Sequence, residues 1–150
     1  GLNDPDLEAT IGAASTDAVT GTTGVAPSAN NPRFNEDLRA FDPELDAFQF
    51  APHIFDCVTA IALAAESANS TDPAQYVDHV GDVTRPDGTE CTSFQECRDL
   101  LDEGRPIDYQ GMSGNIDLDD NGDPTSATFE VFHFGENGYE ILEYVEFTND

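Results

Sequence analysis

The chain has 150 residues, of which 38% are hydrophobic, so it can bury one core and is too short to suggest two independent ones. Its 31 acidic residues face five arginines and no lysine, which gives a formal net charge of −26. A field of that sign repels nucleic-acid phosphates and anionic lipid headgroups, so we expect neither nucleic acid nor a membrane surface as a partner.

The acidic excess has two interpretations. At molar salt the Debye length falls to about 3 Å and self-repulsion is screened, which favours a halophilic or marine extracytoplasmic protein. An acidic surface kept for solubility alone is the other interpretation. The longest apolar run, 58–65, is too short to span a bilayer, and the chain begins at Gly1 without a signal-peptide core. If secreted, it is expected to be a processed or excised product.

The first third of the chain gives the weakest element predictions. Residues 1–16 have room for a short helix, 18–22 have strand composition, and 24–31 have loop composition. Asn31 followed by Pro32 predicts a helix start, because the asparagine side chain can cap a free amide where proline has none.

A long helix is predicted over 53–68. Its apolar positions form a wide stripe, so we expect this helix to be largely buried and Cys57 to be a buried free thiol. The stripe consists of Ile54, Phe55, Val58, Ile61, Ala62 and Ala65.

Two more helices are predicted downstream. Asp72-Pro73 repeats the cap-then-proline signal for a short helix, and a turn follows at 85–88. Ser93 and Glu96 have capping-box spacing, which starts a helix that Gly104 ends.

Three cysteines are an odd number, so one is unpaired within this chain. Cys91 and Cys97 are close in sequence, and a chain entering a helix can fold back so that the two meet. A local disulfide suits an acidic secreted protein in an oxidising compartment. Two free thiols are the alternative.

After the last helix the composition favours strands at 115–118, 128–134 and 141–147, with a turn at 121–122. Helices alternating with sparse strands, followed by a hairpin, indicate an α/β chain whose remaining strands are supplied elsewhere.

The acidic stretch before the hairpin resembles the opening of a calcium loop. Asp117, Asp119, Asn121 and Gly122 occupy the required positions, but Thr128 stands where a bidentate glutamate is needed. A hairpin turn, in which both Asn121 and Gly122 tolerate positive φ, is the preferred interpretation. A calcium-stabilised extracellular adhesion or surface-layer module is the corresponding alternative function.

Nothing in the sequence predicts catalysis or a cofactor. The three histidines lie in unrelated segments, and 111–114 lacks the spacing of a hydrolase nucleophile elbow. Because no nucleophile, base and orienting residue can be named together, a secreted hydrolase is the weakest alternative.

Several of these features occur together in one known family. Phe55-Asp56-Cys57-Val58 in an alanine-rich helix, the cysteine pair, the glycine-rich run 111–114 and the turn at 121–122 follow in this order. The chain thereby resembles the C-terminal part of ABC-transporter solute-binding proteins of the type I periplasmic branch, which includes the LivJ-like binders of branched-chain amino acids. The resemblance implies a partial α/β fold, with helices packed on a mostly parallel sheet and a β-hairpin tail.

The resemblance also implies a single partial unit, 1–150, that crosses between two lobes near 111–118. We expect it to be a piece of a longer polypeptide, since it lacks an initial methionine and has few strands. A stand-alone relative that reuses one lobe is the alternative. The implied partners are a small solute, such as an amino acid or related carboxylate, and a permease. The implied location is extracellular or periplasmic, with membrane anchoring through a segment absent from this chain.

The family's cleft residues precede and open the buried helix. Carried over by position, they are Phe50, His53 and Phe55, and Phe55 stands where the family often has tyrosine. A helix N-terminus favours a carboxylate, which suits such a ligand. For Phe55, packing in the core is an equal alternative.

Overall fold

A computed structural model describes residues 12, 17–29, 31–45, 48–135 and 138–148. The segment 1–16 therefore lies outside the described residues except for Gly12. The described elements, in chain order, are β1 (Thr23–Pro27), α1 (Pro32–Phe41), α2 (Ala51–Ala68), α3 (Pro73–Tyr76), α4 (His79–Asp82), β2 (Thr89–Cys91), α5 (Phe94–Asp102), β3 (Ile107–Tyr109), β4 (Ser126–Gly135) and β5 (Gly138–Thr148).

The parallel part of the fold is a β2–α5–β3 unit. β2 and β3 pair in parallel, with Thr89 opposite Ile107 and Cys91 opposite Tyr109. Helix α2 lies against α3, α4 and α5, and one face of the strand pair closes the same core. The fully buried members of this core are Leu63, Ala64, Val83, Cys91, Cys97, Ile107 and Tyr109.

The second sheet is antiparallel and three-stranded, in the order β1-β4-β5. β4 and β5 form the predicted C-terminal hairpin, with an irregularity in register between Val131 and Phe132. Phe132 and Phe134 from β4 pack with Ala26 of β1 into a small second core. The fold is thus α/β, with a parallel pair and an antiparallel C-terminal hairpin.

The helix boundaries follow the local signals. Asn31 accepts a hydrogen bond from the Phe34 amide at 3.1 Å, and α1 begins at the following proline. Ser93 accepts one from the Glu96 amide, while the Glu96 carboxylate accepts from the Thr92 amide at 2.9 Å. Gly104, at φ +75°, ends α5. These predictions are confirmed. No described helix has both the length and the apolar character needed to cross a membrane.

Two strand predictions are wrong. Residues 17–21 form a turn, and the strand begins at Thr23, because pairing of Thr23–Pro27 with β4 determines its position. Part of the predicted loop at 24–31 is therefore strand. Residues 115–118 make two isolated bridges instead of a strand, since Asn115 pairs with Gln110 and Leu118 with Pro124.

The prediction that the apolar stripe of α2 is buried is wrong for this chain, because much of the stripe is exposed to solvent. Ile54 and Val58 are both 62% exposed, and the Cys57 thiol is exposed as well. The opposite face, which includes Asp56, Ala60 and Leu63, contacts the core. The error arises because α2 is apolar on both sides, so its periodicity could not indicate which side packs.

The predicted disulfide joins Cys91 at the end of β2 to Cys97 in the second turn of α5. Both residues are buried among the side chains of the main core. The bridge closes a loop with a sequence separation of six residues and fixes the strand-to-helix connection.

Replacing both Cys91 and Cys97 by serine should lower the free energy of unfolding by roughly 2 kcal/mol, because a short closed loop is released in the unfolded chain. Denaturant unfolding measures the change. Cys57→Ser, at an exposed thiol, is the matched control and should have little effect. Equal effects of the two changes would contradict a structural role for the bridge.

Candidate ligand-binding site

A buried carboxylate organises the region around the predicted site. Asp56 lies in the second turn of α2 and is 2% exposed. Its oxygens accept hydrogen bonds from the Tyr109 hydroxyl at 2.9 Å and from the amides of Met112 and Ser113 at 2.8 and 2.6 Å. The Ser113 hydroxyl donates a fourth bond at 2.5 Å. Four donors satisfy the buried charge, as a carboxylate removed from water requires.

These bonds fasten the predicted crossing, 111–118, to α2. Gly111 is required at its start, because a Cβ there would collide with the Asp56 carboxylate. Asn31 donates from its side chain to the Met112 carbonyl at 2.9 Å, so the cap of α1 holds the same loop. Gly114, at φ +121°, makes the turn in a conformation that favours glycine.

Tyr109 shares this network from the end of β3. Burial raises the pKa of its hydroxyl, and the neighbouring Asp56 carboxylate raises the pKa further. The hydroxyl therefore stays protonated and remains a donor at physiological pH. It connects the main core to the crossing.

Asp56→Asn should lower the free energy of unfolding by about 3 kcal/mol. The asparagine side chain replaces one acceptor oxygen by an NH2 group, so some of the donors that Asp56 satisfies are left buried without an acceptor. Denaturant unfolding tests this. Asp120→Asn is the control, since its side chain is 92% exposed in an ion pair with Arg85 and should contribute less than about 1 kcal/mol. A small, equal effect at both positions would show that the network is dispensable.

The structure brings Phe50 and His53 together at the start of α2. Phe50 occupies the N-cap position with φ +61°, and no side chain caps the helix there. Its ring lies 6.0 Å from the His53 ring, centroid to centroid. The first turn of α2 leaves few amides for a ligand, because the Ala51 amide donates to the Phe48 carbonyl at 3.0 Å and Pro52 has none. The aromatic pair thus lies beside the backbone amide of His53, with the partial positive charge expected of a helix N-terminus.

His53 is the polar member of this pair. Its Nδ1 atom is inaccessible to solvent and has no hydrogen-bond partner among the described residues. Burial lowers the pKa of the imidazole below the ordinary 6.5, and the opposing influence of Asp56 is smaller. The ring is therefore neutral at neutral pH and able to donate or accept one hydrogen bond.

The lowered pKa makes stability depend on pH. As pH falls through 6.5 the unfolded chain takes up the His53 proton before the folded chain does, so stability present above that pH is lost on acidification. Between about pH 7.5 and about pH 5.5, the free energy of unfolding should therefore decrease more in the unsubstituted protein than in His53→Gln. Parallel profiles would contradict burial of the imidazole.

Phe55 lies apart from this pair. Its ring packs edge-on against Phe34 of α1, with centroids 5.3 Å apart, and about half of the side chain remains exposed. Two surface depressions, of about 550 and 480 Å³, are lined by residues of 66–107 and of 89–103 and include none of the three predicted ligand-binding residues. The role of Phe50, His53 and Phe55 in binding thus stays a prediction.

In the acidic turn at 117–123, the carboxylate oxygens accept hydrogen bonds from neighbouring groups of the turn itself. Asp119 accepts hydrogen bonds from the amides of Asn121 and Asp123 at 2.8 and 3.0 Å, and these bonds lower the pKa of its carboxyl. Asp117 accepts from the Asn115 side chain at 2.9 Å. Gly122 has positive φ, whereas Asn121 does not, so the turn depends on the glycine alone. Within the described residues no group of three or more His, Cys, Asp or Glu side chains could hold a metal ion.

Sequence reasoning missed the central residue, Asp56. Its signal was available, because an acidic side chain inside an otherwise apolar helix must find donors or face water. Its partners were not predictable, since Tyr109 and Ser113 lie 53 and 57 positions away.

The β2–α5–β3 unit and the antiparallel hairpin form part of an α/β fold of the kind found in type I periplasmic binding proteins. Residues 2–137 match the family described as "Receptor family ligand binding region", and the chain belongs to that family.

A solved structure with a similar fold is the leucine-binding protein LivK from Thermotoga maritima MSB8. The TM-score is 0.59 and the identity 20%, over 95% of this chain and 35% of that one. The chain therefore spans about a third of the length of this structure. No curated protein sequence matches the chain.

Proposed function

We propose that the chain is the C-terminal part of an extracytoplasmic solute-binding protein, which captures an amino acid or related carboxylate between two lobes and delivers it to an ABC-transporter permease. The observation that carries the proposal is the match of 2–137 to a family of ligand-binding regions. The leucine-binding activity named for LivK supports an amino acid as the solute. Capture, not catalysis, is the proposed activity.

In this proposal the crossing, 111–118, is one of the connections between the lobes. Asp56 and Asn31 hold its start on α2 and α1, so that end moves with the helices. Gly114 has a φ of +121°, which favours glycine, and backbone rotation at this residue accompanies closure. Lobe closure around the solute then excludes water from the cleft.

The start of α2 supplies the contacts to the solute. The N-terminus of α2, where His53 has the remaining amide of the first turn, attracts a carboxylate even though the chain as a whole is strongly negative, because the helix dipole acts within one helical turn. The imidazole of His53 lies at the same place, and the neighbouring Phe50 ring provides an apolar wall for the side chain of the solute. Phe55 lines the cleft from the next turn of the helix.

The proposed setting is outside the cytoplasm, at high salt, with anchoring to the membrane through a part of the polypeptide beyond these residues. The disulfide suits an oxidising compartment. Among the described residues, Arg85, Arg98 and Arg105 make exposed ion pairs with acidic neighbours. Five arginines cannot neutralise 31 acidic residues, so the charge of −26 is tolerated when salt screens it.

Isothermal titration of the longer polypeptide with a panel of amino acids tests the proposal, with the corresponding amines, which lack the carboxylate, as ligand controls. We expect saturable binding that requires the carboxylate. Phe50→Ala should raise the Kd roughly tenfold, through loss of an aromatic contact.

Phe41→Ala is the matched protein control, because Phe41 lies on α1 with 91% of its side chain exposed. It should leave the Kd unchanged. Absence of binding across the panel, or equal effects of the two phenylalanine changes, would reject the proposed capture site.

A further inference from the structure

One face of α2 has no partner within the described residues. We call it the α2 strip, and it consists of Ile54, Cys57, Val58 and Ile61. Their spacing of i, i+3, i+4 and i+7 places them on one continuous side of the helix. Each is substantially exposed, and the opposite side of α2 already packs in the core.

The chemistry of the α2 strip does not suit exposure to water. Burial of a valine or isoleucine side chain stabilises a protein, and an exposed one forgoes that contribution. No charged residue lies between Asp56 and Glu66, and Asp56 itself turns inward, although the chain carries a net charge of −26. A helix that is apolar on both sides is typical of a protein interior.

We infer that the α2 strip is covered by an apolar element of the same polypeptide, from the part that lies outside these 150 residues. The inference rests on the proposed function, in which this chain is one part of a larger binding protein. The share of LivK that the chain covers, 35%, leaves most of a fold of this kind to supply the covering element.

A second copy of the chain fits the α2 strip less well. Two copies would bring together surfaces of charge −26 each, which repel at ordinary salt. A stable interface also buries about 800 Å² per partner from some 20–30 residues, far more than four side chains supply. An element of the same polypeptide needs no such area, because covalent linkage gives it a high effective concentration.

The reactivity of the Cys57 thiol measures whether the α2 strip is covered. With Cys91 and Cys97 joined in a disulfide, Cys57 is the free thiol of this chain, and it lies at the centre of the α2 strip. Native labelling of the longer polypeptide with iodoacetamide, read by peptide mass, follows this one residue. We expect labelling roughly 100-fold slower than after unfolding, since a covered thiol reacts through local opening. Labelling at a rate within about threefold of the unfolded rate would overturn the inference.

Two valines provide a matched pair of variants. Val58, in the α2 strip, is 62% exposed and Val77, between α3 and α4, is 58% exposed. Val58→Asp should accelerate Cys57 labelling at least tenfold by placing a charge beneath the cover, whereas Val77→Asp should change it less than about twofold. Val58→Ser, a milder change, serves if Val58→Asp does not fold. Equal effects at the two positions would also overturn the inference.

Concentration and ligand binding separate the remaining outcomes. Protection of Cys57 that grows with protein concentration would assign the cover to a second copy and overturn the intramolecular contact. A coding sequence confined to these 150 residues would also overturn the intramolecular contact, because no further part of the polypeptide would exist to cover the α2 strip. Protected Cys57 without solute binding retains this inference and rejects the proposed function, and solute binding with a fully reactive Cys57 rejects this inference alone.

Discussion

The structure around the site depends on the burial of one carboxylate. Asp56 is the point at which α2, β3 and the crossing meet, and each of the three contributes an atom to its hydrogen bonds. Among the acidic side chains that the structure describes, most are exposed to water, where charge costs little. Asp56 differs because its desolvation is offset by four donors in fixed positions, and those donors are thereby fixed in turn. The hydrogen bonds to Asp56 thus determine the conformation of the loop at 111–113.

The two ends of the crossing are held by different parts of the molecule. Up to Ser113 it is held by the side chains of Asp56 and Asn31, and beyond Gly114 its carbonyls accept hydrogen bonds from Thr125 and Ser126 at the start of β4. In the proposed binding protein the first end transmits the position of α2, and rotation during closure takes place at Gly114 between the two ends. His53 lies about one helical turn from Asp56 and Phe50 nearly two, so any motion of this anchor also moves the proposed contacts to the solute.

Sequence reasoning succeeded where the determinants are local. The caps at Asn31 and Ser93, the stop at Gly104 and the disulfide each depend on groups within a few residues, and all were predicted. It failed where distant pairing decides. β1 was placed several residues too early because its register is set by β4, and the packed face of α2 was misassigned because both faces are apolar. The closeness of Phe50 and His53 followed from one helix start, whereas the contacts of Asp56 span more than fifty positions.

The antiparallel sheet has a consequence for how the molecule is assembled. Thr23 of β1 faces His133 of β4, 110 positions later in the chain. During synthesis β1 has no ladder to join until nearly all of this sequence has been made, while the βαβ unit closes from neighbouring segments as they appear. The small phenylalanine core can therefore form only after β4 has been made, and until then the backbone groups of β1 have no partner from β4.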